Sequence, residues 1–292
     1  MSVAAGLTSL SKHPGIVTEA GVLELNGVHL YVERHVGEGA DPSAAPLLAL
    51  HGVGGSADHM AVEVQGLAGD RPVIVFDARG HGRSSRPERF TVADHVADAL
   101  AVLAALGVDR FGALGVSMGS YLAPGVVAAA ADRAASLVLV VPKGHGRESS
   151  TARLMRERPE LFAGKSAEEL AQVMFDIIIS PSNTAPEREV LATTMAAQAR
   201  PELVLDPVDF QRANDALAGF DNRPILAGLA CPVLVISGED DVLNPPAEGR
   251  AVAAAVPGAR FAVIERAGHA LTAERPAEYL ALVRPFLART LG

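Results

Sequence analysis

The chain has 292 residues, 49% of them apolar, with one cysteine, no tryptophan and a formal net charge of -9. That length suits one large domain carrying an insertion or two average domains, the apolar share excludes a disordered chain, and a lone Cys231 excludes an internal disulfide framework. An acidic balance with no run of Lys or Arg argues against nucleic acid or anionic membrane as partners and leaves a small molecule, bound by a monomer or homodimer.

The opening segment MSVAAGLTSLSKHPG has no basic stretch followed by an apolar one, and no apolar run reaches the ~20 residues that span a bilayer, so a cytoplasmic protein is expected. VLELNGVHLYVER then reads as two alternating strands joined at Asn26-Gly27, a pair that tolerates positive φ, and so as a β-hairpin. PLLALHG, PVIVFDARG, RFGALGVS, SLVLVVP, CPVLVISG and RFAVIERAG follow at wide intervals. Each is apolar on both faces, as strands are inside a parallel sheet covered by helices. Helices alternate with them, as in TVADHVADALAVLAALG, where Val92, Val96, Leu100 and Leu103 recur at helical spacing and Gly107 is the stop.

The alternation breaks between about residues 146 and 222. STARLMRERPELF, SAEELAQVMFDIIIS and PEREVLATTMAAQA read as consecutive helices with no strand between them. The expected organisation is an α/β core domain, residues 1–145 and 223–292, with a helical cap inserted at 146–222 where it covers the C-terminal edge of the sheet.

Gly115-Val116-Ser117-Met118-Gly119 fits G-x-S-x-G, with a strand before and a helix-compatible segment after. A strained strand-to-helix turn would expose the Ser117 hydroxyl, whereas an ordinary glycine-rich turn would read the same. A nucleophilic serine needs a base and an acid that orients it. His269 lies in a short loop after a late strand, and Asp240 and Asp241 both stand just past the strand before it. LALHGVGGS supplies a glycine-rich loop after an early strand, from which the Val53 N–H could converge with the Met118 N–H as an oxyanion hole.

These motifs, with Asp77-Ala78-Arg79-Gly80-His81-Gly82-Arg83-Ser84, resemble the α/β-hydrolase superfamily over about residues 22–290, in the branch of small capped serine hydrolases similar to 3-oxoadipate enol-lactonases and related esterases. The resemblance implies an α/β-hydrolase fold: a mostly parallel sheet with an N-terminal antiparallel hairpin, helices on both faces and a cap. It also implies that Asp241, three residues after Gly238 in G-x-x-D-x-x-x-P, is the acid, and that Asp77 and Arg79 hold loops together. Ser117 stands where dehalogenases and epoxide hydrolases of this fold carry an aspartate. The implied reaction is hydrolysis of a carboxylic ester or lactone through an acyl-enzyme, with no cofactor or metal. C-C bond hydrolysis or perhydrolysis by the same triad is an alternative, and a receptor without turnover is another. His145, Lys143, Phe162, Met174 and Phe175 are candidate substrate contacts, with Met155 and Ile178 beside them and Arg147 as a further cation for a substrate carboxylate. Pro124, inside the helix after Ser117, predicts a kink.

Overall fold

A computed structural model of the protein describes residues 6–146, 148–198 and 200–292. Three antiparallel strands open it: β1 (Thr8–His13), β2 (Ile16–Leu25) and β3 (Val28–Gly37). The turn between β2 and β3 is the Asn26-Gly27 pair, with φ of 52° and 74°, and the full hairpin pairs from Leu25↔Val28 out to Ile16↔Gly37. β1 has no counterpart in the sequence reading. It is an edge strand, TSLSKH, largely exposed and polar, so it lacks the apolar pattern by which strands are recognised.

Six further strands run parallel: β4 (Leu47–Leu50), β5 (Val73–Phe76), β6 (Phe111–Val116), β7 (Ala134–Val140), and, past a two-stranded ribbon of β8 (His145–Gly146) and β9 (Phe220–Asp221), β10 (Val233–Gly238) and β11 (Arg260–Ile264). The nine-stranded sheet has the order β1-β2-β3-β5-β4-β6-β7-β10-β11. Because successive side chains leave a strand on opposite faces, each continuous apolar run from β4 to β10 fills two cores at once, whereas the edge strand β11 buries only Ile264 fully and leaves Val263 exposed. Leu48, Leu50, Ile74, Phe76, Leu137, Leu139 and Val235 pack on one side; Leu47, Ala49, Val73, Val75, Val138, Val140 and Ile236 pack on the other. A fully buried leucine among them stabilises the fold by about 2 kcal/mol.

The helices are α1 (Ala61–Leu67), α2 (Val92–Ala105), α3 (Met118–Ala129), α4 (Ser150–Glu157), α5 (Ala167–Ile178), α6 (Ala185–Gln198), α7 (Pro207–Asp215), α8 (Arg223–Leu226), α9 (Pro246–Ala255), α10 (Leu271–Glu274) and α11 (Pro276–Leu291). α2 starts where Thr91 and Asp94 cap one another reciprocally, and ends before Gly107, whose φ is 65°. Its fully buried face is His95, Asp98, Ala99, Val102 and Leu103, while Val92, Val96 and Leu100 pack partly buried against the core. α3 continues through Pro124 as one helix. Near that proline, the Asn222 side-chain amide donates to the Tyr121 carbonyl at 2.8 Å.

Between β8 and β9 every regular element among the described residues is helical, and β8 and β9 pair with each other at the neck, His145 opposite Asp221. α7 was not expected from the sequence. Its residues PVDFQRAND are too polar to show a stripe, and the signal that could have found it is the Asp206-Pro207 start, where Asp206 accepts from the Asp209 amide at 2.8 Å.

Candidate active site

Ser117 joins β6 to α3 with φ 53° and ψ −115°, a region that non-glycine residues rarely occupy. The turn is held from both ends: the Ser117 amide donates to the Val140 carbonyl at 3.0 Å, and the Ser120 amide and hydroxyl donate to the Ser117 carbonyl at 2.8 and 2.5 Å. Both motif glycines are required by contact. A Cβ on Gly115 would lie 2.1 Å from the Gly119 carbonyl oxygen, and one on Gly119 would lie 2.1 Å from that of Leu50. The strand-to-helix turn is thus pressed against the neighbouring strand, and the serine side chain is left standing above the sheet.

His269 follows the edge strand β11, and its side chain meets Ser117 at the end of β6, with β7 and β10 between those two strands. Its Nε2 lies 2.8 Å from Ser117 Oγ and its Nδ1 lies 2.8 Å from Asp241 Oδ2. Asp241 is buried just past β10, and its other oxygen accepts the amides of Leu243 and Asn244 at 2.9 Å each. A carboxylate only accepts, so Nδ1 carries the imidazole proton, and the Nε2 lone pair is left facing the Ser117 hydroxyl. Asp240, the other carboxylate the sequence offered, turns away and accepts from the hydroxyls of Ser180 and Ser182.

The loop after β4 is shaped by His51. Its Nε2 accepts the Ala78 amide at 3.0 Å, so Nδ1 is protonated and donates to the Gly52 carbonyl at 2.7 Å; burial pushes this imidazole down to about 3 and keeps it neutral. The Gly55 amide donates to the same carbonyl at 3.0 Å. In a trans peptide the N–H points opposite the C=O, so fixing the Gly52 oxygen also fixes the direction of the Val53 N–H. The Met118 N–H belongs to the first residue of α3 and has no acceptor within its helix. Both residues line one cavity with Ser117 and His269.

That cavity holds about 470 Å³. Its far wall comes from the helical segment: Met174, Ile178, Met195, Phe210 and Leu217. No Lys, Arg, Asp or Glu lines it among the described residues. Of the expected substrate contacts, Met174 and Ile178 therefore face Ser117. Phe175 does not: it is one residue on from Met174, about 100° around the helix, and lies under the Arg188 guanidinium instead. Phe162 ends a short 3-10 turn outside the cavity, and Met155 is exposed. Lys143 and His145 line a separate cavity of about 620 Å³ with Arg153 and Arg223. Ser150 and Leu243 border both cavities and divide them, which keeps Lys143 from the Ser117 site. Burial lowers the Lys143 amine to about 8, and it donates to the Glu148 carbonyl at 3.0 Å. Arg147 lies outside the described residues.

Three residues the sequence did not single out hold this arrangement together. Asn244 donates to the Tyr121 hydroxyl and the Val141 carbonyl, both at 2.6 Å, and accepts from Ser150, joining the loop that carries Asp241 to α3 and to the helical segment. Glu274 accepts from the Gly268 and Ser180 amides at 2.8 Å and from Asn183 at 2.6 Å, which ties the His269 loop to the end of α5. Burial raises its carboxyl above the ordinary value. His59 lines the cavity from the short 3-10 helix Ala57–Met60 that precedes α1. Asp77 and Arg79, expected to hold loops, do so: Asp77 accepts from the Ala57 amide and from Arg83, and Arg79 clasps Asp98 at 2.9 and 2.7 Å.

Helices on both faces of a mostly parallel sheet, with a strained serine at the end of a central strand, define the α/β-hydrolase class, and the chain belongs to it: the model of the alpha/beta hydrolase fold family matches residues 45–276. The chain is 30% identical over 253 residues to RutD of Azorhizobium caulinodans, named as a carbamate hydrolase, covering 85% of this chain and 90% of that one. Among solved structures it is similar to the enol-lactonase of Burkholderia xenovorans LB400 (26% identity, TM-score 0.77, covering 91% of this chain and 99% of that one). It is likewise similar to Est816, described as an N-acyl homoserine lactone degrading enzyme (27% identity, TM-score 0.74, covering 91% and 99%). The protein is a hydrolase of this family. No helix among the described residues is long and apolar enough to cross a membrane.

Proposed function

We propose that the protein hydrolyses a carboxylic ester or lactone of a small, uncharged, largely apolar substrate through a Ser117 acyl-enzyme. The observation that carries this reading is the pair of 2.8 Å contacts that place His269 between Ser117 and Asp241. His269 removes the Ser117 proton as Oγ attacks the acyl carbonyl, and the Val53 and Met118 amides stabilise the oxyanion that forms. His269 then gives that proton to the departing alkoxide. Water, deprotonated by the same nitrogen, attacks the acyl-enzyme and releases the acid. Asp241 keeps the imidazole in the required tautomer throughout.

The apolar wall of Met174, Ile178, Met195 and Phe210 supports an uncharged acyl or lactone chain, since a carboxylate placed there would lose its water without gaining a cation. Residues 146–222 act in this reading as the cap that forms that wall. The names of the similar proteins agree in chemistry, because enol-lactones, acyl lactones and carbamates all present a carbonyl carbon with a heteroatom leaving group. A fluorophosphonate probe should label the wild type at Ser117, and Ser117→Ala should lose both labelling and turnover of p-nitrophenyl esters. Labelling elsewhere, or full turnover by the variant, would overturn the reading.

A further inference from the structure

Two imidazoles face the Ser117 cavity, and their surroundings give them opposite tautomers. His269 has its Nδ1 against a carboxylate and so presents a lone pair. His59 has its Nδ1 3.1 Å from the Ser56 backbone amide, which can only donate. Its Nδ1 is therefore unprotonated, and the neutral ring carries its hydrogen on Nε2, at the ring edge turned away from Ser56. Among the described residues, no protein acceptor takes that N–H. Crowding by protein lowers the His59 pKa, in keeping with a neutral ring.

His59 is also held in place before any substrate arrives. Its own amide donates to the Ser56 carbonyl at 3.0 Å, and Met60 after it is buried. Asp58 before it is gripped by Lys12 at 2.5 Å, Arg83 at 3.2 Å and Arg200 at 3.5 Å. His59 is exposed, so in the empty site water occupies its N–H, and a donor held in this way at the cavity lining exchanges that water for an acceptor carried by the ligand. Thr151, a buried residue that also lines the cavity, adds a hydroxyl with no protein partner among the described residues.

We propose that His59 Nε2–H is a specificity-determining donor, which binds a second neutral acceptor of the substrate, such as an amide carbonyl oxygen remote from the bond being cleaved. The proposal rests on the hydrolase reading above and narrows its substrate class to bifunctional neutral esters or lactones. An ester with the second acceptor gains a hydrogen bond to this positioned N–H, whereas an ester without it leaves the exposed N–H to water, so the enzyme prefers the former.

The test uses p-nitrophenyl esters in matched pairs: an unbranched alkanoate, and a chain of the same heavy-atom count with one amide at successive positions. The wild type should prefer the amide ester at one position by about three- to tenfold in kcat/KM, chiefly through KM. His59→Phe should abolish that ratio and His59→Gln, which keeps an N–H donor, should restore part of it. The ratio is insensitive to a general loss of fold or of nucleophile, because both esters share those. An equal ratio in wild type and His59→Phe at every amide position would overturn the proposal while leaving the hydrolase reading intact. Absence of turnover of every ester, with Ser117 unreactive to fluorophosphonate, would overturn both.

Discussion

Asp240 and Asp241 are neighbours in the chain, and their carboxylates are committed to different partners: Asp241 to His269 on the core and Asp240 to Ser180 and Ser182 past the end of α5. Since the two side chains have similar volume and charge, their substitutions separate an orienting role from a tethering one. Asp241→Asn should reduce kcat by about 10⁴, because an amide at this position favours the wrong imidazole tautomer. Asp240→Asn should keep kcat within an order of magnitude and lower the melting temperature slightly through the lost serine contacts. Steady-state kinetics on one p-nitrophenyl ester decides it, and equal losses from the two variants would contradict the assignment.

Gly119 tests the turn itself. Alanine there would put its Cβ 2.1 Å from the Leu50 carbonyl oxygen, and that oxygen lies at the end of a central strand with no freedom to retreat. Gly119→Ala should cost about 3 kcal/mol and displace Ser117 from His269, so that labelling falls even in the fraction that folds. Gly69→Ala is the control, since nothing lies within 4 Å of its added Cβ and its φ is not positive. A melting curve and a labelling time course for both variants would measure this; wild-type behaviour of Gly119→Ala would show that the elbow is looser than described.

What was legible in the sequence follows physical lines. The parallel strands from β4 to β10 were readable because both faces are buried, and β11 by its apolar FAVI run although it lies at the sheet edge; the loops at their C-terminal ends could then be searched for a serine, an acid and a histidine. Choosing Asp241 over Asp240 needed the family pattern, because both follow the same strand and only the backbone turn decides which reaches His269. Helix phase was beyond the sequence in the inserted segment: Met174 and Phe175 are equally apolar neighbours, yet only the first faces the cavity. Lys143 sits near the right strand, but chain position near a site carries no information about side-chain direction, and Ser150 stands between them. His59 left no signal at all, since its tautomer depends on a backbone amide three residues earlier.

The final prediction concerns pH and rests on buried groups of opposite sense. His51, His81 and His95 are buried near one another, with ring centroids 5.2 Å apart for the first pair and 6.3 Å for the second, and burial lowers each from 6.5 to about 3. A depressed folded pKa gives stability that is present above 6.5 and is lost as pH falls towards 3, because the unfolded chain takes up these protons first. Glu63 behaves inversely. It is buried on α1 beside Tyr279, its oxygens have no hydrogen-bond partner among the described residues, and burial raises it from 4.5 to about 7. Its contribution is therefore present below 4.5 and is lost as pH rises through 7, a loss of about 3 kcal/mol at 1.36 kcal/mol per unit. Glu63→Gln, which cannot ionise, should raise the melting temperature at pH 8 by several degrees relative to its effect at pH 5, and should leave the acid-side fall caused by the histidines in place. Thermal melts of both proteins from pH 4 to 9 give the comparison. A constant difference across that range would show that Glu63 is already ionised in the folded protein or is solvated there.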